Sequence, residues 1–245
     1  VIYLTDADCI VPTETLERLV EAVGPDRCDA ATGSADPLPE QYELPWVRHQ
    51  WATVRTVDRV RPRESTGILG RNCAVQRAAV DAAGAFREPV RIGTDYHFAK
   101  KLLEAGMSIH FVPAPVQTRY AEGFWEYLGQ QSRWMRNILV HGPRFGDRPE
   151  VAGVMRTAAI GSTLLVWPLT WRWTKWPGIG LWLVPLGWMA RVRRNQQRAL
   201  EKEASLPREP ESVLLLRSVL FSLADLIVWA RPIVDFANPR QRLRW

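Results

Sequence analysis

Val1-Ile2-Tyr3-Leu4-Thr5-Asp6-Ala7-Asp8 opens the chain, and its reading decides the fold. Four consecutive apolar residues are the pattern of a strand buried on both faces of a parallel sheet. The strand ends in Asp6-Ala7-Asp8, which puts two carboxylates where open α/β sheets bind ligands, beyond the carboxyl ends of their strands. Outward from there, Pro12-Thr13 starts a helix with Leu16, Leu19, Val20 and Val23 at helical spacing, and Gly24-Pro25 stops it. Residues 30–33 read as the next strand. The segment 44–60 carries Val47, Trp51, Val54 and Val57 near helical period. Residues 72–75 read as a short strand feeding a helix that stops at Gly84. Thr94 is placed to cap a helix that stops at Gly106. Residues 108–112 form a further strand, and 123–141 a last amphipathic helix. Alternating strands and helices without an internal repeat define an α/β domain.

The 245 residues are 47% hydrophobic and 24% charged, enough to bury a core, so disorder is excluded. Cys9, Cys28 and Cys73 contain no CxxC pair, which argues against a disulfide framework or a cysteine zinc site. The first residue is Val1, inside an apolar run and without an initiator Met. The chain is therefore expected to be a fragment lacking an N-terminal part, and inactive on its own.

Charge divides the chain near residue 150. Residues 1–150 hold 18 Lys/Arg against 20 Asp/Glu, whereas 151–245 hold 14 against 6 and eight of the 12 Trp. The basic residues of the second part bracket apolar runs, so anionic lipid headgroups fit better than nucleic acid, which is not expected as a partner. Residues 157–171 and 176–190 are each 15 residues without a charge, short of the roughly 20 that a spanning helix needs. Trp and Arg at their ends can sit among headgroups. These features predict a membrane-associated region over 151–245, with a hairpin at about 152–190. Arg191-Val192-Arg193-Arg194 marks its cytoplasmic end, on the same side as the domain over 1–150. A helix at about 212–230 is amphipathic or a membrane helix; it carries a polar stripe, Ser218, Ser222 and Asp225, and suits an interface or a protein surface more comfortably than it spans lipid.

Three motifs can carry chemistry. Asp6 and Asp8, one residue apart, can reach one diphosphate-bound cation, and hard oxygen ligands suit Mg²⁺ or Mn²⁺; turn-forming or capping aspartates are the plain alternative. Asp95 falls in the first turn of a helix, where the dipole already favours a negative charge. Gln130, Arg133 and Trp134 lie three and four residues apart and share a helix face. A sugar ring can stack on the Trp while the Arg holds phosphate oxygens in a fork, although a core Trp beside a surface Arg would look the same. His49, His97, His110 and His141 show no ligand spacing.

The order of these motifs resembles the family 2 glycosyltransferases of GT-A type, a Rossmann-like nucleotide-sugar transferase domain followed by membrane helices. Within that family the DxD…D…QxxRW order is most similar to the membrane-bound branch of cellulose, chitin and hyaluronan synthases. Gly70-Arg71-Asn72-Cys73-Ala74-Val75-Gln76-Arg77 and Gly84-Ala85-Phe86 also resemble a family segment, GxNxxxRR…GGF, with Gln76 and Ala85 departing. Thr94-Asp95 stands where many members have Glu-Asp. The resemblance implies inverting transfer from a nucleotide-diphosphate sugar to a polysaccharide or lipid-linked acceptor at the cell membrane. It further implies metal binding by Asp8 with help from Asp6, general-base action by Asp95, diphosphate contacts from Gln130 and Arg133, and an acceptor floor at Trp134. Two other readings stand beside it, an inactive scaffold of a polysaccharide assembly and a DxD phosphohydrolase.

Overall fold

A computed structural model describes residues 1–237; the last eight residues of the membrane-associated region expected over 151–245 lie outside the described residues. Two compact units make up the chain. The first comprises Val1–Tyr42 and Val54–Tyr120; the second takes Glu43–Thr53 and the residues from Ala121 onward. Packing thus divides the molecule at other positions than the charge change near 150.

The first unit is built on a four-stranded sheet in the order β1-β3-β2-β4. Its strands are β1 (Ile2–Leu4), β2 (Ala30–Pro37), β3 (Cys73–Val75) and β4 (Ile109–Thr118). The helices are α1 (Thr13–Ala22), α3 (Arg77–Ala82) and α4 (Thr94–Glu104); α2 (Pro45–Val60) runs from the second unit into the first. The expected parallel sheet is corrected to a mixed one. β2 and β4 are parallel, but β3 runs antiparallel to both β1 and β2. The chain leaves β2 at its carboxyl end and re-enters the sheet there, so β3 must run the other way. β1 is half-buried rather than buried on both faces, because it pairs on one side only.

Small residues let helices lie close on both sheet faces. Ala30, Cys73, Val75 and Ile109 face α3 and α4 through Ala79, Val80, Phe98 and Leu102. Ala31 and Ala74 face α1 through Leu19 and Val23. β2 and β4 are both longer than the runs 30–33 and 108–112. β4 continues through Pro113 and Pro115 because it is an edge strand, where a missing N–H costs no ladder bond.

One buried side chain ties the sheet together. The Asn72 amide nitrogen donates to the carbonyls of Ser34 (2.7 Å) and Ala114 (2.8 Å), and its oxygen accepts from the Tyr3 hydroxyl (2.8 Å). Its insertion coincides with the register shift of β2 against β4 between Thr32 and Ser34. Gly33 makes room for it: a Cβ there would stand 2.2 Å from the Asn72 amide nitrogen and 2.5 Å from the Ala114 carbonyl oxygen.

The second unit is helical: the start of α2, then α5 (Phe124–His141), α6 (Arg148–Val166), α7 (Trp171–Glu203) and α8 (Glu211–Ala237). α6 and α7 are joined by the Trp182 indole donating to the Leu164 carbonyl and the Trp167 indole donating to that of Gly178, both at 2.8 Å. The membrane-length helices differ from expectation. Among the described residues, 148–170 and 211–232 are long and apolar enough to cross a membrane; 176–190, the hairpin's second arm, is not one of them. Pro177 and Pro185 lie within α7, whose path bends at Lys175, and glycines dilute its apolar content. α8 packs tightly on α6 instead, since a Cβ on Gly161 would fall 2.8 Å from that of Trp229.

The Asn72 insertion yields the first test. Gly33→Ala should destabilise the protein by about 1–3 kcal/mol, the usual range for overpacking. Gly67→Ala should leave thermal unfolding unchanged, because nothing lies within 4 Å of a Cβ there. Equal melting temperatures for the two variants would remove Asn72 from its central role.

Candidate active site

The acidic turn is placed by hydrogen bonds of its own backbone. After β1 the Cys9 N–H closes onto the Asp6 carbonyl at 3.2 Å, and Ile10 then bridges Gln117 of β4 through two bonds of 2.8 and 2.9 Å. The segment from Leu4 to Ile10 therefore runs along the carboxyl edge of β1, β2 and β4, and Asp6 and Asp8 stand exposed on it.

Asp95 reaches the same edge from α4. The expected Thr94 cap is corrected to Gly93, whose φ of 63° is the left-handed conformation that glycine adopts without penalty. Thr94 is the first helical residue, and Asp95 sits in the first turn with its Oδ1 accepting from the Tyr96 N–H at 2.8 Å. The backbone at Gly70 lies directly against it: a Cβ on Gly70 would be 3.0 Å from the Asp95 Cβ. Burial, and then the charge of Asp95, pushes the Cys73 thiol at the start of β3 up to about 12. The topology thus gathers Asp6, Asp8 and Asp95 at one end of one sheet.

Among the described residues no three His, Cys, Asp or Glu side chains converge as a metal-binding group. Two exposed carboxylates on a turn do fit a hard cation that takes its remaining ligands from substrate phosphates and water, the ordinary habit of Mg²⁺.

Gln130, Arg133 and Trp134 belong to the second unit, on α5. The buried side of α5 carries Tyr127, Leu128 and Ser132. Gln130 and Arg133 are half-buried and Trp134 is exposed, so the three share an accessible side of the helix.

Several residues near these positions were not singled out from the sequence. Asn72 and Gly70 were noticed only within a family-like segment, and nothing local announces a close approach between Gly70 and Asp95, 25 positions away. A cavity of about 200 Å³ borders Thr94 and is lined by Phe86, Glu88, Val90, His97 and Lys101. Glu88 meets His97 at 3.3 Å and Lys101 at 3.4 Å there. At the carboxyl end of β2, Asp36 pairs with Arg55. Burial pushes the nearby Asp58 carboxyl above the usual range, opposed by Arg61 and Arg55.

The family model for glycosyl transferase family group 2 matches residues 1–229 of the chain. No curated protein matches it.

The Cys73 thiol reports on Asp95. A thiol raised to about 12 stays protonated at about pH 9, where an ordinary cysteine is largely thiolate. Alkylation of the folded protein at that pH should therefore spare Cys73 and mark the half-buried Cys9. Asp95→Asn removes one of the two causes, so the Cys73 titration should move down. An unmoved alkylation profile would place Asp95 away from β3.

Proposed function

The chain belongs to the family group 2 glycosyltransferases, and from that membership we propose a membrane-bound, metal-dependent inverting transferase. It moves a sugar from a nucleotide-diphosphate donor to a polysaccharide or lipid-linked acceptor. Membership itself makes the protein a transferase that uses a nucleotide-sugar donor and an acceptor. The finer reading is carried by one observation, the meeting of the acidic turn and Asp95 at a single sheet edge.

In this reading Asp8 holds Mg²⁺ or Mn²⁺, with Asp6 assisting. The cation, when bound, neutralises charge on the departing diphosphate. Asp95 accepts the proton of the acceptor hydroxyl as that oxygen forms its bond to the anomeric carbon. The bond from that carbon to the diphosphate oxygen breaks, and the nucleotide diphosphate leaves with the electron pair. Arg133 and Gln130 hold its phosphate oxygens by charge-assisted hydrogen bonds. Trp134 offers a face on which the acceptor sugar stacks.

Membrane attachment is supported by the way α8 distributes its side chains. Its polar residues Ser218, Ser222 and Asp225 are buried, whereas Val213, Leu216, Leu220, Ile227 and Val234 are exposed. A helix with its apolar stripe outward gains nothing from water and is satisfied by lipid. We place the catalytic unit and Arg191–Arg194 on the cytoplasmic side.

Two substitutions in the full-length protein test the chemistry. Asp95→Asn should keep donor affinity and lower kcat by roughly 10²–10⁴-fold, the usual worth of a general base. Turnover within a few-fold of the parent would make Asp95 a helix-start residue and nothing more. Asp8→Ala should abolish Mn²⁺-dependent binding of the nucleotide diphosphate, as measured by calorimetry. Undiminished binding there would move the metal site elsewhere and favour the phosphohydrolase alternative.

A further inference from the structure

α8 is the most apolar of the long helices, with a mean hydropathy of 2.0 over its membrane-length stretch. It nevertheless buries two carboxylates, Asp225 at 0% exposure and Asp235 at 6%. Burying an ionised carboxylate is costly unless it is paired and hydrogen-bonded, so their partners matter. Asp225 accepts from the Tyr127 hydroxyl at 2.9 Å, meets His49 of α2 at 3.2 Å and pairs with Arg193 of α7 at 2.6 Å. Asp235 accepts from the Ser132 hydroxyl and from Arg231. Both α5 donors, Tyr127 and Ser132, lie on its buried side. Ser132 sits inside the Gln130-Gln131-Ser132-Arg133-Trp134 run itself.

We propose that Asp225 and Asp235 are positioning residues: through Tyr127 and Ser132 they fix the rotation of α5, and so the direction in which Gln130, Arg133 and Trp134 are presented. The inference rests on the transferase reading above. Two bonds five residues apart on α5 define both its rotation and its position along its axis, which apolar packing alone leaves free to slip. Each α5 partner is neutral, so the pairing does not cancel the carboxylate charges; Arg193 and Arg231 do that. The hydroxyls add direction rather than charge balance. α8 thereby links the membrane-facing surface to the helix that holds the leaving group.

The test deletes the hydroxyls alone, because removing Asp225 would strand Arg193 and His49 and risk unfolding. Tyr127→Phe, Ser132→Ala and their double variant are prepared in the full-length protein in nanodiscs. Ser218→Ala is the control: its buried hydroxyl donates back to the Leu214 carbonyl of α8 itself. Transfer or hydrolysis is measured over UDP-, GDP- and dTDP-sugars with Mn²⁺. Fluorotryptophan labelling reads the ¹⁹F resonance of Trp134, identified by its loss in Trp134→Phe. The double variant should lose about 10–100-fold in kcat, the scale of a displacement of about 1 Å, with KM for the donor within a few-fold. Its Trp134 resonance should shift, while the control changes neither. Normal kcat and an unshifted resonance overturn the proposal, even if the melting temperature falls. If the parent uses no donor, the transferase reading fails, and the resonance alone decides: a shift upholds the coupling of α8 to α5, and no shift refutes it.

Discussion

The first unit depends on where the Asn72 amide goes. A buried primary amide is costly without partners, and this one finds them on three strands at once. A strand of three residues, β3, could not hold a mixed sheet in register by its own ladder. With Asn72 locked between β2 and β4, the residues on either side of it are locked too. Gly70 is pressed against Asp95, and Cys73 opens β3 opposite Leu4, the last residue before the acidic turn. The candidate chemistry therefore inherits its geometry from a hydrogen-bonding residue that takes no part in it. A hydrophobic residue could fill the same volume, but it would leave the Ser34 and Ala114 carbonyls unsatisfied at the register shift.

The second unit solves the opposite problem. Its longest apolar helix buries Ser218, Ser222, Asp225 and Asp235 beside Leu214, Leu226 and Val228, and exposes Val213, Leu216, Leu220, Ile227 and Val234. α8 uses its few polar side chains as fasteners, with Ser218 and Ser222 bonding back to their own helix and Asp225 and Asp235 reaching across to others. Close approach to α6 is obtained by the absence of a side chain at Gly161. Where lipid competes with apolar side chains for contact, small residues and hydrogen bonds are the available sources of helix association. Both are present here.

Much of this was legible in the sequence, and the exceptions share a cause. Helix positions followed from periodicity and stop signals, as at Gly24 and Gly106, because those are local rules. The edge position of β4 was hidden because Pro113 and Pro115 break a strand only when its N–H groups are needed, and that depends on neighbours. The direction of β3 was hidden for the same reason. The polar stripe of α8 was visible, and so was its preference for protein. Its partners, Tyr127 and Ser132, lie about 100 residues away and had no signature of their own. The bend of α7 at Lys175, with Pro177 and Pro185 beyond it, was not legible from charge-free length alone. Motifs marked Asp6, Asp8 and Asp95; only the topology says that the three share an edge.

That shared edge has an electrostatic consequence. Asp6, Asp8 and Asp95 are carboxylates collected at the end of one sheet, and a nucleotide diphosphate is itself an anion. Brought together directly, they repel, by an amount that grows as water is excluded. If sugar transfer takes place at this edge, as proposed above, it requires positive charge from elsewhere. In the proposed reading a divalent cation held by Asp8 with help from Asp6 would supply it. The same repulsion makes an acid base-competent only where the cation does not reach it. The proposed roles divide accordingly: Asp8 in a turn would be neutralised by the metal, while Asp95 on a helix would keep its lone pairs for a proton.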